Sequence, residues 1–283
     1  DGNDLLIGDN GLILFETSTG TSRLSEIRST DVSSATGGDD LMRGRAGADR
    51  MIGGVGADTI YGDAGSTDIG AGDGLIDGDD VILGDNGLML WGTETTPDFT
   101  TLDLVASAQD GLGGADIISG NAGADFIFGG YGADELSGNS DTNEDAELDT
   151  ADVILGDNGE ILLTTGQFAQ IRATDATDSF SSNDTLTGAS GGDILIGDNG
   201  QLVWDADGDL SDLDVLTSQA QEGVEENNRQ GDNDLITGDR GADLIIAGYG
   251  SDTVHGNDAG NLDAAVDGDD VVLGDNGEIR MDD

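Results

Sequence analysis

The chain has 283 residues, with 60 acidic against nine basic side chains, a formal charge of −51, 49 glycines, one proline, one histidine and no cysteine. Such a charge excludes nucleic acid as a partner, since phosphate binding needs clustered Lys and Arg, and it argues against docking on an anionic membrane surface. The missing cysteine excludes disulfides, thiol catalysis and thiolate metal sites, and no apolar run reaches the roughly 18 residues needed to enter a bilayer.

In chain order, the first element is a short apolar run, Leu5-Leu6-Ile7, followed by GDNG and a stretch in which Ile13 and Phe15 alternate with other residues. Alternation of this kind predicts a half-buried strand, and Leu24 to Ile27 reads as its return partner. Two tandem nonamers follow, GRAGADRMI from Gly44 and GGVGADTIY from Gly53, and then an acidic insertion at 63–79. VILGDNGLMLW from Val81 repeats the opening pattern, with Met89 and Trp91 alternating and Leu102 to Val105 returning. Three nonamers run from Gly111, Gly120 and Gly129, and a second acidic insertion spans 139–150. VILGDNGEILL from Val153 and ILIGDNGQLVW from Ile194 repeat the pattern again, with returns at Phe168–Ile171 and Leu213–Leu216. Two more nonamers start at Gly238 and Ala247, a third insertion covers 257–269, and VVLGDNGEIRM from Val271 closes the chain.

Two periods are therefore nested. The short one is nine, G-G-x-G-x-D-x-U-x, with U a large aliphatic residue. The long one is about 75. It is set by the GDNG glycines Gly8, Gly84, Gly156, Gly197 and Gly274, whose successive intervals are 76, 72, 41 and 77; the short interval marks a unit that has lost nonamers. Segment 1–16 matches segment 267–282, which reads as a window cut from a longer repetitive protein. Five segments follow: 1–35, the end of a roll plus a hairpin; 36–108 and 109–181, each a nonamer block and hairpin; 182–227, a short block and hairpin; and 228–283, a block and the start of the next hairpin.

Fifteen aspartates keep the sixth position of the nonamer: Asp4, Asp40, Asp49, Asp58, Asp80, Asp116, Asp125, Asp134, Asp152, Asp184, Asp193, Asp234, Asp243, Asp252 and Asp270. Glycine-rich turns expose carbonyls, and each turn is followed by a carboxylate; such all-oxygen donor sets suit a hard cation. A chain this acidic that still holds short apolar runs suggests folding conditional on such a cation. After GDNG the sixth-position aspartate is missing, so the roll is expected to end there and a strand to begin. GDNG then has two readings: it supplies further ligands through Asp85, Asp157, Asp198 and Asp275, or its Asn-Gly merely turns a hairpin. Asp184, preceded by the poor nonamer SFSSNDTLT, is expected to matter less than the others. The acidic insertions read as solvated loops in preference to a second kind of cation site, and Trp91 and Trp204 as packing over the open end of the roll.

The seven nonamers resemble the RTX, or hemolysin-type, calcium-binding repeat family. The resemblance implies an all-β fold: a right-handed parallel β-roll or solenoid, here in blocks interrupted by β-hairpin inserts once in every long period. It implies multiple Ca²⁺ ions between stacked turns, held by the fifteen aspartates together with the loop glycines Gly44, Gly53, Gly111, Gly120, Gly129 and Gly238. It also implies that Met51, Ile60, Ile118, Ile127, Leu136, Ile245 and Val254 point inward. Fifteen divalent ions would cancel 30 of the 51 negative charges.

Nothing in the sequence reads as an enzyme. His255 has no cysteine or second histidine to work with, and carboxylates are so numerous that no acid/base pair stands out. Two functions fit. One is an extracellular structural repeat, of an adhesin, surface layer, matrix or filament, with calcium and further copies of itself as partners. The alternative is a secretion and folding block of a larger secreted enzyme or toxin. Both imply a secreted or cell-surface location, by the bacterial type I route that the family uses.

Overall fold

The computed structural model describes residues 2–18, 20–34, 36–63, 78–92, 101–109, 111–139, 150–174, 182–204, 209–218, 231–257, 268–275 and 277–281. The described residues form strands, turns and loops only, so the fold is all-β. The three acidic insertions fall almost entirely outside the described residues.

Three sheets make up the fold. The first is parallel, with eight strands: Leu5–Ile7, Arg50–Ile52, Val81–Leu83, Phe126–Phe128, Val153–Leu155, Ile194–Ile196, Leu244–Ile246 and Val271–Leu273. The second is also parallel: Leu41–Arg43, Thr59–Tyr61, Ile117–Ser119, Glu135–Ser137, Thr185–Ser190, Leu235–Arg240 and Thr253–His255. The chain visits these two alternately, and within each sheet spatial order follows chain order, the arrangement of a β-roll. Between two GDNG motifs the chain makes two turns of the roll in the long units and one turn between Gly156 and Gly197, which accounts for the short interval there.

The inward residues are the U positions. Met51, Ile60, Ile118, Ile127, Leu136 and Ile245 are buried in one cluster with Ile82, Ile154, Leu186 and Leu195, and Val254 packs against it at the last turn. The residues flanking U differ between the sheets, and they explain the third layer. In the first sheet the flanks are apolar except Arg50, as in VIL, FIF and ILI; in the second they are mostly polar, as in TIY, ELS and TLT. A strand apolar on both faces needs cover on both.

That cover is an antiparallel sheet of nine strands: Gly11–Ser18, Thr21–Ser29, Gly87–Trp91, Leu102–Ser107, Gly159–Thr164, Gln167–Ala173, Gly200–Val203, Val215–Ser218 and Gly277–Arg280. Each hairpin pairs with the next, through Ile27 with Met89, Val105 with Ile161, Ile171 with Leu202 and Leu216 with Ile279. Those residues form one inward row that packs with Leu83, Phe128, Leu155, Ile196 and Ile246 of the first sheet. Trp91 and Trp204 belong to this flank and do not close an end of the roll. Trp91 is buried between the sheets, and Trp204 lies 5.2 Å from Phe168, itself 5.6 Å from Phe126. The correction follows from the apolar flanks of the first sheet, which make its side, not its end, the larger surface to cover.

The roll does not end at GDNG. The chain leaves the first sheet, forms a hairpin on its outer face, and returns to the same loop it left. GDNG is a corner between two sheets, and the hairpin turns lie elsewhere: Thr165 and Gly166, at φ 52° and 79°, join one pair of strands. The second glycine of GDNG sits tight against the strand before it. A Cβ at Gly11, Gly87, Gly159, Gly200 or Gly277 would strike the last apolar side chain of the preceding strand, from Ile7 through Leu83, Leu155 and Ile196 to Leu273.

Candidate metal centre

The loops that join the two parallel sheets lie along two edges of the roll. One edge carries Asp4, Asp49, Asp80, Asp125, Asp152, Asp193, Asp243 and Asp270; the other, from which the hairpins depart, carries Asp40, Asp58, Asp116, Asp134, Asp184, Asp234 and Asp252. All fifteen in-phase aspartates thus fall into two ladders.

Each rung repeats one geometry. The backbone N–H of one aspartate donates to Oδ1 of the aspartate in the next turn: Asp49 to Asp80 at 2.7 Å, Asp80 to Asp125 at 2.8 Å, Asp125 to Asp152 at 2.8 Å. The other edge matches, with Asp58 to Asp116 and Asp116 to Asp134 at 2.7 Å and Asp134 to Asp184 at 2.8 Å. The aspartate carbonyl meanwhile accepts the N–H that opens the next turn's strand, as in Val153 to Asp125 and Thr185 to Asp134. Oδ1 is therefore committed to the fold.

Oδ2 is not. In Asp49, Asp58, Asp80, Asp116, Asp134, Asp184 and Asp234 it is buried without a hydrogen-bond partner among the described residues. It faces the first glycine of its own loop and the first carbonyl of the next loop. A Cβ at Gly156 would lie 2.6 Å from Asp184 Oδ2 and 3.0 Å from the carbonyl oxygen of Gly197. Gly44, Gly53, Gly120, Gly129 and Gly238 stand in the same relation to Asp49, Asp58, Asp125, Asp134 and Asp243. The glycines keep open a pocket with carboxylate on one wall and carbonyl on the other.

Isolated carboxylates rarely stay ionised when buried. Burial, the largest cause in each case, pushes Asp58 up to about 6, Asp234 to about 7, Asp116 and Asp184 to about 8, and Asp80 and Asp134 to about 9. Neighbouring aspartates add to the rise: Asp125 on Asp80, Asp58 on Asp116, Asp184 on Asp134. The backbone N–H groups of Asp4 and Asp49 offset this at Asp49 and Asp80, as does Arg50, whose guanidinium donates to the carbonyls of Asp49 at 2.7 Å and Asp79 at 3.0 Å. A ladder of buried carboxylates whose free oxygens share pockets with carbonyls fits a hard divalent cation, which supplies the missing positive charge. The backbone carries strain at the same loops. Arg45, Asn121, Ala189 and Asp239, each second in its loop, hold φ between 70° and 79°, a state that costs such residues about 1–3 kcal/mol.

Two expectations are corrected. Gly111 does not stand beside Asp116; it is exposed, just after Gln109, whose φ is 64°. Gly84 of GDNG takes that place, because the hairpin is inserted inside the loop and the loop's first glycine lies before it. For the same reason Asp184 is no weak copy. It is 2% exposed, accepts from Asp134 N–H, and pairs with Gly156 across the hairpin, so SFSSNDTLT is not its loop. Asp4, Asp40, Asp252 and Asp270, in the end turns, are more exposed than the rest.

The GDNG aspartates hold the base of each hairpin. Asp85 is buried and accepts from the N–H of Gly114, on the returning chain, at 3.1 Å, and from that of Tyr131 in the next loop. Asp157 accepts from Ser182 at 3.2 Å and Asp198 from Asp232 at 3.3 Å, both on the returning chain. Asp275, in the last turn, is exposed. His255 sits exposed on the outer face of the second sheet.

Fold and site together define a calcium-binding parallel β-roll. Residues 34–69, 110–144, 180–201 and 230–261 match the family model of the RTX calcium-binding nonapeptide repeat, so the chain carries that repeat in four copies. Neither the curated proteins nor the solved structures gave a match. RTX repeats bind Ca²⁺, and the buried all-oxygen donor set here fits that ion.

Proposed function

We propose that the chain is one segment of an extracellular structural repeat protein, exported unfolded and folded by calcium outside the cell, in which the in-phase aspartates are the ion ligands. The observation that carries this reading is continuity. All three sheets run unbroken through every long unit, so added units lengthen the same body. Each unit of two turns advances it by about 10 Å, at about 4.8 Å per strand. Solenoids of this kind grow in one dimension, each turn contacting its neighbours.

Self-association has a surface suited to it. The outward rows of the hairpin sheet run Leu12, Arg28, Leu88, Ala106, Glu160, Arg172, Gln201, Thr217, Glu278 and Leu14, Glu26, Leu90, Leu104, Leu162, Gln170, Val203, Val215, Arg280. They hold three arginines, three glutamates and no aspartate. Glu26 pairs with Arg28 at 3.0 Å and Glu160 with Arg172 at 3.3 Å. In a molecule of charge −51, this neutral, half-apolar face is where a second copy approaches without repulsion. Small-angle scattering tests the whole reading. The scaling of size with chain length gives a radius of gyration of about 59 Å in chelator and about 19 Å for one folded copy in calcium. The second value should rise with concentration as copies associate. A compact profile in chelator overturns calcium-driven folding, and a concentration-independent monomer in calcium overturns self-association.

A further inference from the structure

The nonamer ladders give each loop one in-phase carboxylate, but the loops that launch hairpins hold another. Their second position is aspartate in every GDNG copy, whereas the uninterrupted loops place Arg45, Gly54, Asn121, Gly130, Ala189, Asp239 or Gly248 there. At the hairpin based on Gly197 to Gly200, one oxygen each of Asp198, Asp234 and Asp252 lies within 4.8 Å of the others. Asp198 and Asp234 are 2% and 3% exposed, and Oδ2 of each is buried without a hydrogen-bond partner. The three carboxylates come from three separate stretches of chain: the departing strand, the returning strand, and the next loop.

We propose that the base of the hairpin at Gly197 to Gly200 is a second class of divalent-cation site, in which the GDNG aspartate Asp198 is the third carboxylate, and that it fills ahead of the ladder sites. This rests on the reading of the in-phase aspartates as calcium ligands. Affinity for Ca²⁺ rises with the number of charged ligands and with site rigidity. Asp198 adds a full charge to Asp234 and Asp252, and its Oδ1 is fixed by Asp232 N–H. The hairpin based on Gly84 differs: both oxygens of Asp85 already accept backbone hydrogen bonds, from Gly114 and Tyr131. An ion at Asp198 ties the chain's exit from the roll to its return, so the site that binds first also closes this hairpin insertion.

Flow dialysis with radioactive calcium on the whole chain, wild type against Asp198→Asn and Asp193→Asn, tests this. Asparagine keeps the size and the Oδ1 acceptor of each side chain, and circular dichroism in saturating calcium confirms that both variants fold. The wild type should bind in two phases. Asp198→Asn should lose one ion from the tight phase, and Asp193→Asn, in a ladder loop with alanine second, should lose ions from the weak phase only. If Asp193→Asn loses ions and Asp198→Asn loses none, or if binding is a single phase, the hairpin-base site is overturned while the ladder stands. If neither variant loses an ion, the calcium ladder itself fails.

Discussion

Replacing Asp134 with asparagine should have opposite effects with and without calcium. Asp134 does two jobs: Oδ1 accepts from Asp116 N–H at 2.7 Å, and Oδ2 faces Gly129 and the first carbonyl of the next loop. Asparagine keeps the first job and abolishes the second as a cation ligand. In chelator the folded-state pKa of about 9 lies above the ordinary 3.8. A pKa raised by folding stabilises the fold below about pH 4, and this contribution is lost as the pH climbs through about 9. At pH 7 the calcium-free fold must hold a proton that the unfolded chain has released, a cost of at most about 4 kcal/mol at roughly 1.4 kcal/mol per unit. Asparagine mimics the protonated acid and removes that cost. In 10 mM calcium the sign reverses, because an ion bound with a Kd of about 10⁻⁴–10⁻³ M contributes about 1.4–2.7 kcal/mol. The assay is circular dichroism, by urea unfolding in calcium and by pH titration in chelator. Asp134→Asn should lose about 1.4–2.7 kcal/mol in calcium and should gain β structure at a higher pH than wild type in chelator. Equal destabilisation under both conditions would refute the reasoning and leave Asp134 an ordinary buried acceptor.

Asp184→Asn should match Asp134→Asn in both conditions, since its ladder position is equally buried; a clearly milder loss in urea would restore the weight of its poor local sequence. Gly156→Ala should drive Asp184 Oδ2 from its pocket and lower calcium stoichiometry, while Gly274→Ala, whose Cβ meets nothing within 4 Å, should not; flow dialysis separates them. Lowering the pH from 8 to 6 should raise the calcium concentration needed for folding, because carboxyls with folded values of about 6 to 9 then take up protons in competition with the ion; a pH-independent midpoint counts against the ladder. Ile171→Ala empties a fully buried position in the hairpin sheet and should cost about 2–5 kcal/mol in urea with unchanged calcium stoichiometry.

The roll is legible in the sequence because its information is local. Each nonamer carries its own glycines, aspartate and U residue, so the inward positions and the in-phase aspartates can be read one copy at a time. The loops interrupted by hairpins mislead because their information is split. Gly84 and Asp116 form one loop with a whole hairpin between them, and nothing nearby marks them as partners. Reading the nearest glycine instead assigns Gly111 to Asp116 and discounts Asp184. A signal for the true pairing is present in the flanks of U. VIL, FIF, VIL, ILI and LII alternate along the chain with TIY, IIS, ELS, TLT and LIT. Residues apolar on both sides of U demand a covering layer, and the tails before GDNG are all of that kind. The phase of this alternation survives each hairpin, which is possible only if the chain returns to the roll where it left it. Two-faced apolar strands, a constant phase across every interruption, and a half-apolar strand after each GDNG together require the hairpins to lie side by side on one face of a continuous roll.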